Sequence, residues 1–91
     1  MEITYDPRKH ERNLRERALG FDEAAHFDFL SAFYFGEFRG GENRVVGIGY
    51  LGKRLHVLCF IPINNGIRVI SFRKANDREA RKYGKPKTID K

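Results

Sequence analysis

The sequence contains few of the residues that define several classes of protein. Its single cysteine, Cys59, excludes an internal disulfide framework, and three scattered histidines do not suggest a dedicated zinc site. No apolar run approaches the roughly 20 residues that a membrane-spanning helix needs, and residues 1–5 lack the charged-then-apolar pattern of a secretory signal. We therefore expect a small, reduced domain in the cytoplasm, with no membrane partner.

The residues that are present have the composition of one small folded domain. The chain has 91 residues, and two independent cores would each fall below the size at which a core sustains itself. Hydrophobic residues make up 41% of the chain and charged residues 33%. These fractions exclude both a disordered polyampholyte and a membrane protein.

The formal net charge of +6 is concentrated near the C-terminus. Residues 1–17 carry a net charge of +1, residues 18–72 are neutral, and residues 73–91 hold eight basic against three acidic side chains. Clustering of this kind predicts a polyanionic partner. We assign residues 1–84 to a single domain and expect residues 85–91 to be a solvated basic tail.

Two helices are predicted before the sheet. Asp6 accepts bonds from the free N–H groups of a first turn, and Pro7 at the first helical position loses no bond. This helix is expected to run to about Ala18 and to be closed by Gly20. A second, shorter helix begins at Phe21, and its apolar stripe has helical spacing: Phe21, Ala25 and Phe29.

Strands joined by short turns follow the helices. The strand segments are rich in β-branched and aromatic residues and are separated by turn-forming residues; they cover 33–38, 44–51, 54–61 and 67–74. Gly47 and Gly49 share one strand face, where they leave room for a close neighbour such as a helix backbone.

The order of predicted elements defines the fold class. Asn76 and Glu79 have the spacing of a capping box and predict a last helix up to Tyr83. With a short strand at residues 2–5, the pattern predicts an α+β domain. We expect a small antiparallel sheet of four to five strands, two N-terminal helices packed on one face, and a short basic C-terminal helix.

Several short motifs occur in a fixed order between about Ile3 and Tyr83. They are Tyr5-Asp6-Pro7, Asn13-Leu14, Phe21-Asp22-Glu23-Ala24-Ala25, Glu42 and Arg44, Ile48-Gly49, and Arg68 to Ala75 with Glu79 and Tyr83. Together they resemble the BrnT family of toxins from bacterial type II toxin–antitoxin pairs. Two positions depart from the family pattern: Ala18 stands where glycine is common, and Asp28 where phenylalanine is usual.

The resemblance implies a fold, an activity and a partner. The fold is expected to be similar to the RelE/ParE toxins, and the activity to be a metal-independent ribonuclease with no cofactor. A BrnA-like DNA-binding antitoxin is expected to neutralise the toxin in a hetero-oligomer. That complex would repress its own promoter, so operator DNA would be reached only through the antitoxin, in the bacterial cytoplasm.

A ribonuclease of this type lets the 2′-hydroxyl of RNA attack the adjacent phosphorus. The protein must accept a proton, balance charge on the phosphorane oxygens and protonate the leaving oxygen. We expect the catalytic residues to be Arg68, Arg73, Glu79 and Tyr83, and the RNA-binding residues to be Lys74, Arg78, Arg81 and Lys82.

Three of the four catalytic candidates have a structural alternative. Glu79 could serve only the capping box, Tyr83 could anchor the last helix in the core, and Arg68 could be an exposed or ion-paired strand residue. Arg68 and Arg73 lie on opposite faces of an ideal strand, so both reach one phosphate only if the strand twists, bulges or ends early. His56, inside an apolar strand, is expected to be a core residue.

One alternative function belongs to a different class. A non-catalytic basic module could bind nucleic acid, or an acidic antitoxin segment, and act only in promoter autorepression. The sequence alone leaves this alternative open.

Overall fold

Five strands and three helical segments make up residues 1–89, the part of the chain that the computed structural model describes. The second helical segment, which precedes β2, is a 3₁₀ helix, and the other two are α-helices. In chain order the elements are β1 (Glu2–Thr4), α1 (Pro7–Arg17), the 3₁₀ helix (Phe21–His26), β2 (Phe33–Arg39), β3 (Glu42–Leu51), β4 (Arg54–Ile63), β5 (Gly66–Lys74) and α2 (Asp77–Lys82). The predicted α+β class is confirmed.

The strands form one sheet in the order β1-β5-β4-β3-β2. Short turns join β2 to β5, so these strands pair as antiparallel neighbours. The sheet is nevertheless mixed, because β1 runs parallel to β5 and pairs Ile3 with Ile67. The prediction of a purely antiparallel sheet is wrong at this edge. The chain between these two strands contains α1, the 3₁₀ helix and strands β2 to β4, and so provides the long connection that a parallel pair requires.

Helix α1 begins and ends with recognisable caps. The Asp6 side chain accepts a hydrogen bond from the Arg8 amide at 2.9 Å, and Pro7 occupies the first turn, as predicted. The helix ends at Ala18, which adopts the left-handed conformation with φ 54°. Gly20, with φ −79°, does not close the helix, so that prediction is wrong.

The 3₁₀ helix buries a different set of residues from the one predicted. A 3₁₀ helix has three residues per turn, and the buried positions here are accordingly Phe21, Ala24 and Phe27. Ala25, expected on the apolar stripe, is exposed. This row packs on one sheet face, where it forms a core with the apolar side chains of β4 and β5: Leu58, Phe60, Ile67, Val69 and Phe72.

The glycines of β3 leave space that an aromatic ring occupies, where a helix backbone was expected. A methyl group on Gly49 would lie 2.7 Å from the Phe27 ring and 2.8 Å from the Ala32 side chain. The expected close neighbour is therefore present, but it is the Phe27 side chain with the following loop. Glycine is required at this position because no larger residue leaves space for that ring.

A second core lies on the opposite sheet face beneath α2. Its buried members are Val46, Ile48, Leu55, Val57, Cys59, Ala75 and Ala80. Asn76 caps α2, and its side chain accepts from the Glu79 amide at 2.8 Å, which confirms the predicted capping box. Because α2 has only six residues, it covers only part of this face.

One extra residue in β5 changes which side chains share a face. Cys59 of β4 pairs with Ser71, but the next residue, Phe60, pairs with Val69, so Ile70 has no partner. Because of this β-bulge, two β5 residues that are an odd number of positions apart lie on the same sheet face when Ile70 stands between them. Arg68 pairs with Ile61 and Arg73 with Val57, and cross-strand partners point to the same face. Of the three conditions considered from the sequence (a twist, a bulge or an early strand end), the structure has the bulge, which places both arginines on the face that α2 partly covers.

Residues 85–89 lie against the β3–β4 hairpin. The Leu55 amide donates to the Lys87 carbonyl at 2.8 Å, and the Ile89 amide donates to the Lys53 carbonyl at 2.9 Å. These contacts differ from the solvated tail expected for residues 85–91. The division of the chain at residue 84 stays a prediction, and Asp90 and Lys91 lie outside the described residues.

None of the helices between residues 1 and 89 combines the length and apolar character needed to span a membrane.

Candidate active site

A cleft of about 470 Å³ lies on the sheet face that α2 covers only in part. Its floor comes from β3, β4 and β5, and its walls from β2 and from α2. The lining residues, which define the basic cleft, are Phe35, Glu37, Arg39, Arg44, Val46, Ile48, Val57, Cys59, Ser71, Arg73, Asn76, Arg78, Glu79, Lys82 and Tyr83.

The basic cleft has an excess of positive charge. Five of its side chains are basic and two are carboxylates, which leaves a net charge of +3 within one concave surface. Low-dielectric walls around such a surface focus the potential and attract anions. The cleft therefore fits a polyanionic ligand, and it concentrates part of the charge noted in the C-terminal sequence.

Arg73 and Glu79 form a bidentate ion pair in the basic cleft. The Arg73 Nη1 and Nη2 atoms donate to Glu79 Oε1 and Oε2 at 2.9 and 2.7 Å. Glu79 Oε1 also accepts from the Asn76 amide at 3.0 Å as part of the capping box. The geometry matches the planar fork of arginine to both carboxylate oxygens, so Arg73 is held in one orientation.

This pair shifts the acidity of both partners. The hydrogen bonds from Arg73 hold the pKa of the Glu79 carboxyl below its usual value, despite the opposing effect of burial. The same bonds raise the pKa of the Arg73 guanidinium. Glu79 is therefore a weak proton acceptor whose oxygens are already bonded.

The second carboxylate of the cleft, Glu37, stands apart from this pair. Glu37 pairs across the strands with Arg44, yet Arg44 donates to Glu42 instead, at 3.3 Å. Within residues 1–89, Glu37 takes part in no side-chain hydrogen bond or ion pair, and the buried Arg44 Nε makes no hydrogen bond. Glu37 therefore has bonding capacity left over in the cleft, whereas the Arg44 Nε atom is shielded from solvent.

Cys59 lies on the cleft floor as a protonated thiol. Burial raises the pKa of this thiol, and the nearby Glu37 carboxylate raises it further, while Arg44 opposes the shift. A thiol with a raised pKa is a poor nucleophile. We infer that Cys59 has a structural role, as a small apolar side chain in the core beneath α2.

The histidines lie away from the basic cleft. His56 is buried on the other sheet face, 5.4 Å from the Phe72 ring between centroids, and burial lowers its pKa. The prediction of a core role for His56 is confirmed. His10 stacks on Tyr5, and its Nδ1 atom accepts a hydrogen bond from the Phe21 amide at 3.0 Å. Proton transfer in the cleft would therefore depend on other groups.

The structure brings five of the eight sequence-predicted site residues together. Arg73, Arg78, Glu79, Lys82 and Tyr83 line the basic cleft. Their roles stay predictions, but their proximity follows from the junction of β5 with α2, which a single stretch of sequence encodes.

The remaining three predicted residues lie elsewhere. Arg68 shares the cleft face but is displaced along β5 and does not line the cleft. Lys74 pairs with His56 and so points to the opposite face. Arg81 lies on the far side of α2, in a shallow groove with residues 84–87.

Strands β2 and β3 contribute cleft residues that were not predicted from the sequence. Phe35, Glu37 and Arg39 alternate along β2 toward the cleft, and Arg44 and Val46 do so on β3. The alternation of charged and aromatic residues was visible in the sequence. Its face could not be assigned until the register of β2 on β3 was known.

Among residues 1–89, no group of three or more His, Cys, Asp or Glu side chains is arranged to hold a metal ion.

Two comparisons relate the chain to known proteins. A family model described as "Ribonuclease toxin, BrnT, of type II toxin-antitoxin system" matches residues 5–79. Among solved structures, the chain is similar to the 1.1 Å crystal structure of the Brucella abortus ribonuclease toxin, BrnT. The TM-score is 0.66 and the identity 27%, over 85% of this chain and 99% of that chain. No curated protein sequence matches.

Proposed function

The chain belongs to the BrnT family of ribonuclease toxins of type II toxin–antitoxin systems, and we propose that it cleaves RNA in the basic cleft. The observation that supports this proposal is the composition of the cleft. Five cations surround a concave surface that also holds one carboxylate, Glu37, with unused bonding capacity. Phosphate binding and proton transfer both need groups of this kind.

The proposed reaction uses the RNA's own 2′-hydroxyl as nucleophile. Its oxygen attacks the adjacent phosphorus, the proton passes to a base, and the 5′-oxygen leaves with a proton from an acid. The products are a 2′,3′-cyclic phosphate and a free 5′-hydroxyl. The protein supplies the proton acceptor and donor and stabilises the negative charge that develops on the phosphorane oxygens.

We assign the proton acceptor to Glu37. Its carboxylate lines the cleft and is paired with no cation in the part of the chain that the structure describes, whereas the Glu79 oxygens are occupied by Arg73 and by the capping box. A carboxylate that already accepts two or three bonds is a weak base. Glu79 is therefore a positioning residue that fixes the Arg73 guanidinium.

We assign phosphate contacts to Arg44, Arg73, Arg78 and Lys82. Arginine remains protonated and offers two parallel N–H groups, which match two phosphate oxygens at once. The two hydrogen bonds that Arg73 makes to Glu79 use one edge of its guanidinium, and its side chain is 39% exposed. Nη1 also donates to the Lys74 carbonyl at 3.3 Å, so within residues 1–89 the Nε hydrogen and the second Nη2 hydrogen are the ones left to approach a phosphate.

The family also implies a partner. A type II system pairs the toxin with an antitoxin, and we propose a BrnA-like DNA-binding antitoxin in a hetero-oligomer within the bacterial cytoplasm. An acidic segment of that antitoxin would cover the same cations that contact RNA. Neutralisation would then follow from competition for the basic cleft.

The test is incubation of the purified protein with RNA in the presence of EDTA. We expect fragments with 2′,3′-cyclic or 3′-phosphate ends. Glu37→Gln and Arg73→Ala should each lower the cleavage rate by about 100-fold or more, because one proton acceptor or charge donor contributes at least that much. Arg81→Ala, on the same helix as Arg78 but outside the cleft, should leave the rate unchanged.

The competing function gives a different result. A non-catalytic module would bind RNA or the antitoxin without producing fragments. Fragments that appear only when a metal ion is added would contradict the metal-independent mechanism. Full activity in a folded Glu37→Gln variant would remove Glu37 from the role of proton acceptor.

A further inference from the structure

Three aromatic rings, two exposed and one half-buried, form a patch at one end of the basic cleft. The aromatic patch consists of Phe33 and Phe35 from β2 and Tyr83 from the end of α2. The Phe35 and Tyr83 rings are nearly parallel, at 11° with centroids 6.0 Å apart, and the Phe33 centroid lies 5.1 Å from that of Tyr83. The rings therefore support one another as a preformed surface.

The aromatic patch is continuous with the basic cleft. Phe33 and Phe35 occupy alternate positions of β2, on the face that also carries Glu37 and Arg39. Phe35 and Tyr83 themselves line the cleft, and the Lys82 ammonium lies 5.4 Å from the Tyr83 ring centroid. Aromatic faces and cations thus alternate along a single surface.

The two rings from β2 are accessible to a ligand, whereas Tyr83 is half-buried and packs against the core beneath α2. Phe33 is 47% exposed and Phe35 36%, although both belong to a strand of the sheet. Exposed aromatic side chains grouped on an ordered surface mark a binding site more often than isolated ones do. An aromatic surface beside phosphate-binding cations is the arrangement that holds single-stranded nucleic acid.

We propose that the aromatic patch stacks an unpaired nucleobase next to the cleaved phosphate, so that the substrate is single-stranded RNA. This inference rests on the proposed function and extends it to a substrate class. A base within a duplex is stacked on its neighbours and cannot present its face to these rings. The patch would therefore select unpaired segments and hold the scissile phosphate beside Arg73 and Arg78.

The competing occupant is a protein. Aromatic residues are also common at the centres of protein interfaces. An acidic antitoxin segment would neutralise the same cations, but its carboxylates do not stack on aromatic faces, whereas an unpaired nucleobase does.

The experiment separates stacking from charge. The probe is a short 2′-O-methyl RNA, which lacks the attacking hydroxyl and so is not cleaved, compared with an abasic oligonucleotide of equal length and charge. Base stacking on an aromatic side chain predicts about 5- to 150-fold tighter binding of the base-bearing probe. The Phe33→Ala, Phe35→Ala double variant should lose this preference while keeping its affinity for the abasic probe.

Two further variants complete the test. Phe35→Leu keeps an apolar side chain but no aromatic face, and should lose most of the preference. Phe38→Ala is the matched control, because Phe38 is 71% exposed on the same strand but points to the other face. The thermal unfolding midpoint of each variant shows whether it is folded.

The outcomes distinguish this inference from the proposed function. Equal losses on both probes, or no loss on either, would overturn the stacking role. Loss of antitoxin binding with unchanged RNA binding would assign the patch to the protein partner and also overturn it. A chain that prefers the base-bearing probe but never cleaves unmodified RNA would keep the stacking site and remove the ribonuclease proposal. Cleavage of unmodified RNA by a chain that does not prefer the base-bearing probe would keep the ribonuclease proposal and overturn the stacking site.

Discussion

The Glu79 carboxylate accepts hydrogen bonds from two parts of the chain, the Arg73 guanidinium on β5 and the Asn76 amide at the start of α2. It thereby joins the capping of a helix to the orientation of a cleft arginine. Both roles that the sequence left open, cap and site residue, are compatible with this geometry. The two can be separated because only the contact with Arg73 needs the negative charge.

The Glu79→Gln variant should show how much this negative charge contributes to the free energy of unfolding. Glutamine at this position still completes a capping box, so the variant should lose about 1 kcal/mol of unfolding free energy at pH 7, a value kept low because Arg73 is partly exposed. The folded pKa of Glu79 is lowered, so its contribution is present above the unfolded pKa of about 4.3 and is lost as the pH falls through the folded pKa. Denaturant unfolding at pH 7 and pH 3 measures the difference.

The matched control is Asp77→Asn in the same helix. Its carboxylate pairs with Lys87 at 2.7 Å but is largely exposed, so its substitution should have a smaller effect. A difference between wild type and Glu79→Gln that stays constant from pH 7 to pH 3 would contradict the assignment to the Arg73 pair.

At the scale of elements, the end of α1 carries a local cost. Ala18 adopts the left-handed conformation, in which a side chain crowds the following carbonyl. The helix still closes here, because the Ala18 amide donates to the Leu14 carbonyl at 2.9 Å. Glycine would accept this conformation without the steric cost.

Ala18→Gly should therefore stabilise the protein, although glycine is usually destabilising. We expect an increase of about 1 kcal/mol in unfolding free energy, measured as a higher thermal unfolding midpoint. Ala25→Gly provides the control, since Ala25 is exposed but its φ is negative. A lower midpoint for Ala18→Gly would show that the left-handed cap is not strained.

The helix starts and the capping box were predictable because each depends on a few adjacent residues. The 3₁₀ helix was not, because residues 21–27 satisfy a spacing of three as well as one of four, and packing against β4 and β5 decides between them. The parallel pairing of β1 was hidden for a related reason. A three-residue strand does not disclose its partner from its own sequence.

At the scale of the whole molecule, the cleft assembles charge from distant parts of the chain. Arg78, Lys82 and Arg73 come from the basic C-terminal stretch, while Arg39 and Arg44 come from a region whose charges cancel in the sequence. The first three could be predicted as a site because they are close in sequence. The other two depend on the register of β2, β3 and β4, which the sequence pattern leaves unassigned.

Salt dependence should report on this assembled charge. If Arg44, Arg73, Arg78 and Lys82 each contact a phosphate, the logarithm of RNA affinity should fall with the logarithm of salt concentration with a slope of about −2.8. Arg78→Gln should reduce the magnitude of the slope by about 0.7, and Arg81→Gln should not change it. Binding titrations over a range of salt concentrations measure both slopes; a flat dependence would contradict phosphate binding in the cleft.

The unpaired Ile70 of β5 has a consequence for the comparison of distant relatives. One inserted residue determines whether the positions before it, such as Arg68, share a face with those after it, such as Arg73. A relative without this insertion would place the equivalent of Arg68 on the opposite face even if its arginine aligned without error. A single-residue gap near position 70 in an alignment would therefore mark a reversal of the faces along the first half of β5, even where no charged residue is lost.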